Sequence, residues 1–358
     1  MMPAAAQMPL VVRFGAFGDM ILLIPALRIL ARRYGLPCEV VGSGSWTEPL
    51  LRRVPEVRRC ILLTSRRAPY GVNRSQREFV RWLRRRPPGS VYVFEADEKS
   101  HWLLRRAGVR PEWICSYRDC PRRPGEHVRD HAIRLARETP PARLAWPGVP
   151  ADALPAPDCR PVLTEPDRAD CRDWLVRRGL AGHPLVLLQP GNKKTMRWGP
   201  RRRPGNLVYW PEDYWARVIV GVRDTLRGGK VVLCGVSAER SLAHDIAGRL
   251  DRARDDVVIA AGELPVARLL ALLEHAHSMI SVNTGPAHAA VAMGCPLVVM
   301  FGREPVRTVT MYAPPDDAAP VRLLLPDAGS PGGRIAGIPP ERVLAAWRLV
   351  AAGARSVK

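Results

Sequence analysis

The chain has 358 residues, enough for two domains of ordinary size, and its 47% apolar fraction excludes a disordered polymer. Its 55 Lys and Arg against 34 Asp and Glu leave a net charge of +21, which favours anionic partners without choosing among nucleic acid, acidic lipid and phosphorylated ligands. No segment reads as a membrane span or signal peptide, and the eight cysteines show no zinc-like spacing, so a cytoplasmic protein with reduced thiols is expected.

The first predicted strand is Pro9–Phe14. A turn, Gly15-Ala16-Phe17-Gly18-Asp19, follows it, and Met20–Arg33 then reads as an apolar helix that Pro25 would kink or delay. A glycine-rich turn between strand and helix is a weak nucleotide-fold signal, and it is not G-x-G-x-x-G. Asp19 has two readings. The plainer one is a helix cap; the other is a general base at the mouth of a sheet. Strands are expected at Glu39–Val41, Cys60–Leu63, Val91–Phe94 and Trp113–Ser116, with helices around Trp46–Arg53, Gln76–Arg85, Lys99–Ala107 and Glu126–Glu138. Such alternation implies a mostly parallel sheet covered on both faces. Arginines crowd 66–86, as a solvated face or a landing surface for anions. His127 and His131 stand at helical i, i+4 spacing without a third metal ligand, so exposed histidines are expected.

From Thr139 to Pro166 the chain turns proline-rich, the mark of a linker, and domain boundaries are set at 1–165, 166–337 and a final helix and tail at 338–358. The alternation then restarts. Strands are predicted at Pro184–Gln189, Lys230–Cys234 and Asp256–Ala260, between helices at Asp167–Arg178, Glu212–Leu226, Ala238–Leu250 and Pro265–His277. After Gln189 the loop carries Gly191, Asn192, Lys193, Lys194 and Arg197, small residues and cations that suit a diphosphate or form an ordinary basic loop. Glu239, behind the Gly235 turn, is either a ribose ligand or a helix-start acid.

Ser278–Gly302 contains no Asp, Glu, Lys or Arg. It reads as strand Met279–Val282, turn Asn283-Thr284-Gly285-Pro286, a helix of small residues opened by Pro286 and stopped at Gly294, then strand Pro296–Phe301. The first turn of that helix offers backbone N–H groups and a positive dipole end to a phosphate, with His288 on the same turn. Gly302–Gly337 reads as irregular, and Pro339–Ala352 as a last helix.

Together these pieces resemble glycosyltransferase family 9, the ADP-heptose:lipopolysaccharide heptosyltransferases. The resemblance rests on Val11–Leu27 with its G-x-x-G-D, on LLQPGNKK, on Trp210-Pro211-Glu212, on Leu233–Glu239, and on Ser281–Gly302 with its T-G-P-x-H. Positions 66–150 carry no motif of the family.

The resemblance implies an α/β GT-B architecture, two Rossmann-like domains facing each other across a cleft. It implies inverting transfer from ADP-heptose to a lipopolysaccharide core or related glycan, without metal or cofactor, at the cytoplasmic side of an acidic inner membrane. Asp19 takes the role of base, and Gly18 beside it that of a nucleotide-sugar-binding residue. Thr284, Gly285 and His288, with Lys193, Lys194 or Arg197, take the departing diphosphate, Glu239 the ribose, and Leu264 the base ring. Asn283 stands where the family usually has Asp. That departure keeps open a non-catalytic nucleotide-sugar or glycan binder on the same fold. No motif supports nucleic acid as a partner.

Overall fold

The computed structural model describes residues 8–64, 73–143, 157–192, 195, 206–303, 305–314, 320–327 and 333–354. They form two compact units, divided between Val162 and Leu163.

The first unit is a five-stranded parallel sheet of β1 (Leu10–Val12), β2 (Cys38–Gly42), β3 (Val57–Leu62), β4 (Val91–Val93) and β5 (Ile114–Ser116), in the order β3-β2-β1-β4-β5. Leu10, Val11 and Val12 are buried, because a central parallel strand is covered on both faces and needs apolar side chains on each. Helix α1 (Phe17–Tyr34) starts earlier than expected and passes unbroken through Pro25. Proline in a helix interior costs about 3 kcal/mol. Every residue from Met20 to Leu30 is buried, and each fully buried Leu or Ile contributes about 1.5–3 kcal/mol, so packing outweighs the lost bond. Gly35, at φ 62°, closes α1 in the left-handed conformation. Helix α2 (Thr47–Leu51) is shorter than predicted. Strand β3 starts earlier, at Val57, and takes in the exposed Arg58 and Arg59, which an edge strand tolerates. Helices α3 (Arg74–Arg85), α4 (Glu98–Arg106) and α5 (Val128–Arg137) complete the unit, with α5 packed on α1.

The second unit carries α6 (Glu165–Arg177), β6 (Leu185–Gln189), α7 (Glu212–Thr225), β7 (Lys230–Leu233), α8 (Arg240–Ala247), β8 (Val257–Ile259), α9 (Val266–His275), β9 (Ser278–Val282), α10 (Gly285–Ala292) and β10 (Leu297–Met300). Two further elements, α11 (Val306–Tyr312) and β11 (Val321–Leu324), lie in the stretch expected to be irregular. Its sheet is parallel in the order β11-β10-β9-β6-β7-β8. Helix α12 (Pro340–Ala354) belongs to this unit: the buried Trp347 indole donates to Ser278 Oγ at 2.8 Å, and Trp210 donates to the Ile338 carbonyl at 2.9 Å. Among the described residues no helix is long and apolar enough to cross a membrane.

Candidate functional site

Open parallel sheets bind ligands beyond the carboxyl ends of their strands, where the strand order reverses. In the first unit that point is the end of β1, between β2 and β4. The residues there are Arg13 to Asp19. Asp19 lies in the first turn of α1; its Oδ2 accepts from the Ala16 N–H at 2.8 Å, and its Oδ1 stands 3.2 Å from Arg13 Nη2. Ala16 has no side chain with which to return the bond, so this is half of a capping box. A Cβ on Gly15 would come within 2.4 Å of the Asp19 Cβ, so the loop closes on the carboxylate only with glycine there. Gly18 is buried beside it.

Two further charged residues join Asp19. Glu95 follows β4; its Oε1 accepts from the Phe14 N–H at 2.7 Å and lies 3.6 Å from Arg13 Nη1. Arg13 also donates to the Phe94 carbonyl. The guanidinium thus sits between two carboxylates, all three side chains being 16–25% exposed. The sequence reading passed over Arg13 and Glu95. The signal was available: each is a charged residue closing an apolar run (PLVVR, VYVFE), and those runs are paired strands.

Behind this edge, Tyr117 follows β5, meets Phe94 edge to face at 5.5 Å and stacks on His131 at 3.8 Å. His131 is buried rather than exposed as expected, with Nε2 2.7 Å from the Cys120 carbonyl. Burial holds its imidazole below the ordinary histidine range. His127 is the N-cap of α5, its Nδ1 accepting from the Arg129 N–H. Helical spacing alone does not show which side of α5 packs on α1, or that His127 falls at the cap.

In the second unit the order reverses between β6 and β9. Gln189, buried at the end of β6, donates from its amide to the Gly191 carbonyl at 2.8 Å and to Glu239 Oε2 at 3.1 Å. Glu239 ends the short helical turn after β7 and is 5% exposed; the Val236 N–H donates to its Oε2 at 2.9 Å. Burial pushes this carboxyl up, against those two hydrogen bonds. Added Cβ atoms on Gly191 and Gly235 would stand 3.0 and 2.7 Å from its oxygens.

Asn192 Oδ1 accepts from the Thr195 N–H at 3.0 Å, and Asn192 Nδ2 donates to the Asn283 carbonyl at 3.4 Å. The Asn283 N–H donates to the Met300 carbonyl at 3.0 Å, so neighbours on both sides hold this residue. Thr284 is the N-cap of α10, with Oγ1 3.1 Å from Ser281 Oγ. Gly285 begins the helix and Pro286 is its second residue, one place later than expected. His288 is buried on the same turn, and Leu264 is half-buried in the loop between β8 and α9. The structure thus gathers Gly191, Asn192, Glu239, Asn283, Thr284, Gly285 and His288 around the carboxyl ends of β6, β7 and β9. Lys193, Lys194 and Arg197 lie outside the described residues.

Residues 208–318 match the model of "Glycosyltransferase family 9 (heptosyltransferase)", a span that includes Glu239, Leu264 and Asn283–His288. The chain is 24% identical over 299 residues to lipopolysaccharide heptosyltransferase 2 of Escherichia coli, covering 80% of each sequence. Its fold matches the solved ADP-heptose lps heptosyltransferase II of E. coli at a TM-score of 0.73 and 20% identity, covering 98% of this chain and 100% of the other. A glycosyl transferase family 9 structure from Veillonella parvula matches at 0.74 and 16% identity, covering 97% of each. An E. coli heptosyltransferase solved with ADP-2-deoxy-2-fluoro heptose matches at 0.65 and 15%, covering 96% and 99%.

Proposed function

Because this chain is a glycosyltransferase of the family 9 type, we propose that it moves heptose from ADP-heptose, with inversion, onto a lipopolysaccharide core or related surface glycan. Asp19 takes the proton of an acceptor hydroxyl. The acceptor oxygen forms its bond to the anomeric carbon as the bond from that carbon to the diphosphate oxygen breaks, and the electron pair leaves with ADP. The second unit binds the nucleotide. Glu239 accepts from the ribose hydroxyls, and the backbone around Thr284 and Gly285, with His288, receives the diphosphate as its charge grows. Lys193, Lys194 and Arg197 are assigned to the same diphosphate from the sequence, and Leu264 to the adenine.

One observation carries the reading: the Asn192–Asn283 bond and the Glu239 carboxylate converge on the switch point of the sheet, and Glu239 and Asn283 fall inside the span matched by the family model. The acceptor is placed at a membrane surface on the cytoplasmic side. Supporting this, α3 presents exposed Arg74, Arg77, Arg81, Arg84 and Arg85 with Glu78 as its one acid. At the amino edge of the first sheet, α3 and β3 border a groove of about 460 Å3 where Met8, Leu36 and Trp82 adjoin Arg58 and Arg85. Arg59 lies 5.5 Å from the Trp82 ring centroid, an aromatic and basic pairing suited to acidic headgroups.

The test is mass spectrometry of purified protein with ADP-heptose and truncated lipopolysaccharide acceptors, with NMR of the product anomer. A heptosylated product of inverted configuration is expected. Retained configuration removes the single displacement, and binding without transfer or hydrolysis favours the non-catalytic binder.

A further inference from the structure

Resting on the reading above, we infer that Glu95 is a positioning residue for the transfer step: it holds Arg13 so that Asp19 can change its charge without stranding a cation. Asp19 acts as base by becoming neutral. Its nearest cation, Arg13, is 16% exposed and 3.2 Å away. With Asp19 as its sole counter-ion, proton uptake would leave a largely desolvated guanidinium uncompensated, which is costly. Glu95 removes that penalty. It stands 3.6 Å from the other terminal nitrogen of the same guanidinium and is itself 17% exposed. The cluster carries one net negative charge when Asp19 is ionised and none once Asp19 holds the acceptor proton. Arg13 remains compensated in both states.

Glu95 has a second hold on the site. Its Oε1 accepts from the Phe14 N–H at 2.7 Å, which fixes the start of the loop that ends at Asp19. Arg13 in turn donates to the Phe94 carbonyl, and its own N–H bonds the Val41 carbonyl at 2.9 Å. The loop from β1 to α1 is therefore tied to β2 and β4, with both carboxylates on one guanidinium. Glu95 acts through Arg13 and touches no reacting atom.

The experiment compares wild type, Glu95→Gln, Glu95→Asp, Arg13→Met and Arg13→Met/Glu95→Gln in steady-state transfer from ADP-heptose. Thermal midpoint and ADP affinity are recorded for each. Glutamine keeps an oxygen for the Phe14 N–H and removes the charge. Glu95→Gln is expected to lower kcat by at least about tenfold, with KM for the donor within about twofold and ADP affinity unchanged. Glu95→Asp falls between it and wild type, which also serves if Glu95→Gln does not fold. In the Arg13→Met background the Gln change adds no further loss, because the residue through which Glu95 acts is gone.

Wild-type kcat in Glu95→Gln, or losses that multiply in the double variant, overturns the inference. The underlying reading is judged separately: absence of transfer by wild type, or full activity of Asp19→Asn, strikes that reading and not Glu95 alone.

Discussion

Asn192 and Asn283 join the two strand ends that make the switch point of the second unit: the side-chain amide of one donates to the main-chain carbonyl of the other at 3.4 Å. Asn283 therefore contributes through its backbone. A carbonyl is the same in Asn and Asp, so the departure from the usual family residue leaves this link intact. Asn192→Ala removes the link and the two bonds that its Oδ1 accepts from the Thr195 N–H and hydroxyl, each of about 1 kcal/mol. Titration calorimetry with ADP should show affinity weakened about five- to thirtyfold, with far-UV circular dichroism unchanged. Unchanged affinity would remove the loop from the nucleotide site.

Gly191 and Gly235 leave the Glu239 carboxylate its space. Gly191→Ala puts a methyl about where the carboxylate approaches, 3.0 Å from Oε1, and Gly235→Ala one at 2.7 Å from Oε2. The carboxylate must move in either case. ADP affinity is expected to drop more in Gly235→Ala than in Gly191→Ala, in order of crowding. Equal, wild-type affinity in both would place the ribose elsewhere.

Burial raises the Glu239 carboxyl above its ordinary value. A group raised in the folded state contributes stability that is full below its unfolded pKa and is lost as pH rises through its folded pKa. The wild type should therefore lose thermal midpoint relative to Glu239→Gln as pH rises from the ordinary carboxylate range toward neutrality. A difference that stays flat across that window, or runs the other way, contradicts the assignment.

Glu126 has the opposite sign. Its hydrogen bonds from Arg134, at 2.8 Å on both oxygens, hold its carboxyl down to about 2. The stability it contributes is present above the ordinary carboxylate pKa and is lost as pH falls toward about 2. Glu126→Gln should cost about 1–3 kcal/mol at neutral pH, by denaturant unfolding, and progressively less as pH falls through about 2.

Charge reversal on the α3 face tests membrane contact. Arg81→Glu/Arg85→Glu should weaken binding to phosphatidylglycerol vesicles at least about tenfold in cosedimentation, since each arginine near an acidic surface is worth about 1 kcal/mol. Binding to phosphatidylcholine should be negligible in both proteins. Equal binding of wild type and variant to acidic vesicles would remove α3 from the contact.

The alternation of strands and helices was legible because parallel strands buried on both faces read as apolar runs, as in LVLLQ and SMISV. Strand β11 was not, because it lies at the sheet edge and exposes Arg322 and Leu323, which breaks the run. The residues at the second switch point could be named in advance because turn chemistry marks them: Gly191, Gly235 and Thr284-Gly285-Pro286 each follow a strand. Arg13 and Glu95 each showed as a charge closing an apolar run, but their meeting did not, because it depends on β1 pairing with β4.

The most direct measurement is single-turnover transfer by Asp19→Asn, read by mass spectrometry of the acceptor, beside calorimetric ADP binding. Transfer slowed about 10²–10⁴-fold is expected, with ADP affinity within about twofold of wild type. Transfer at the wild-type rate would contradict Asp19 as the base.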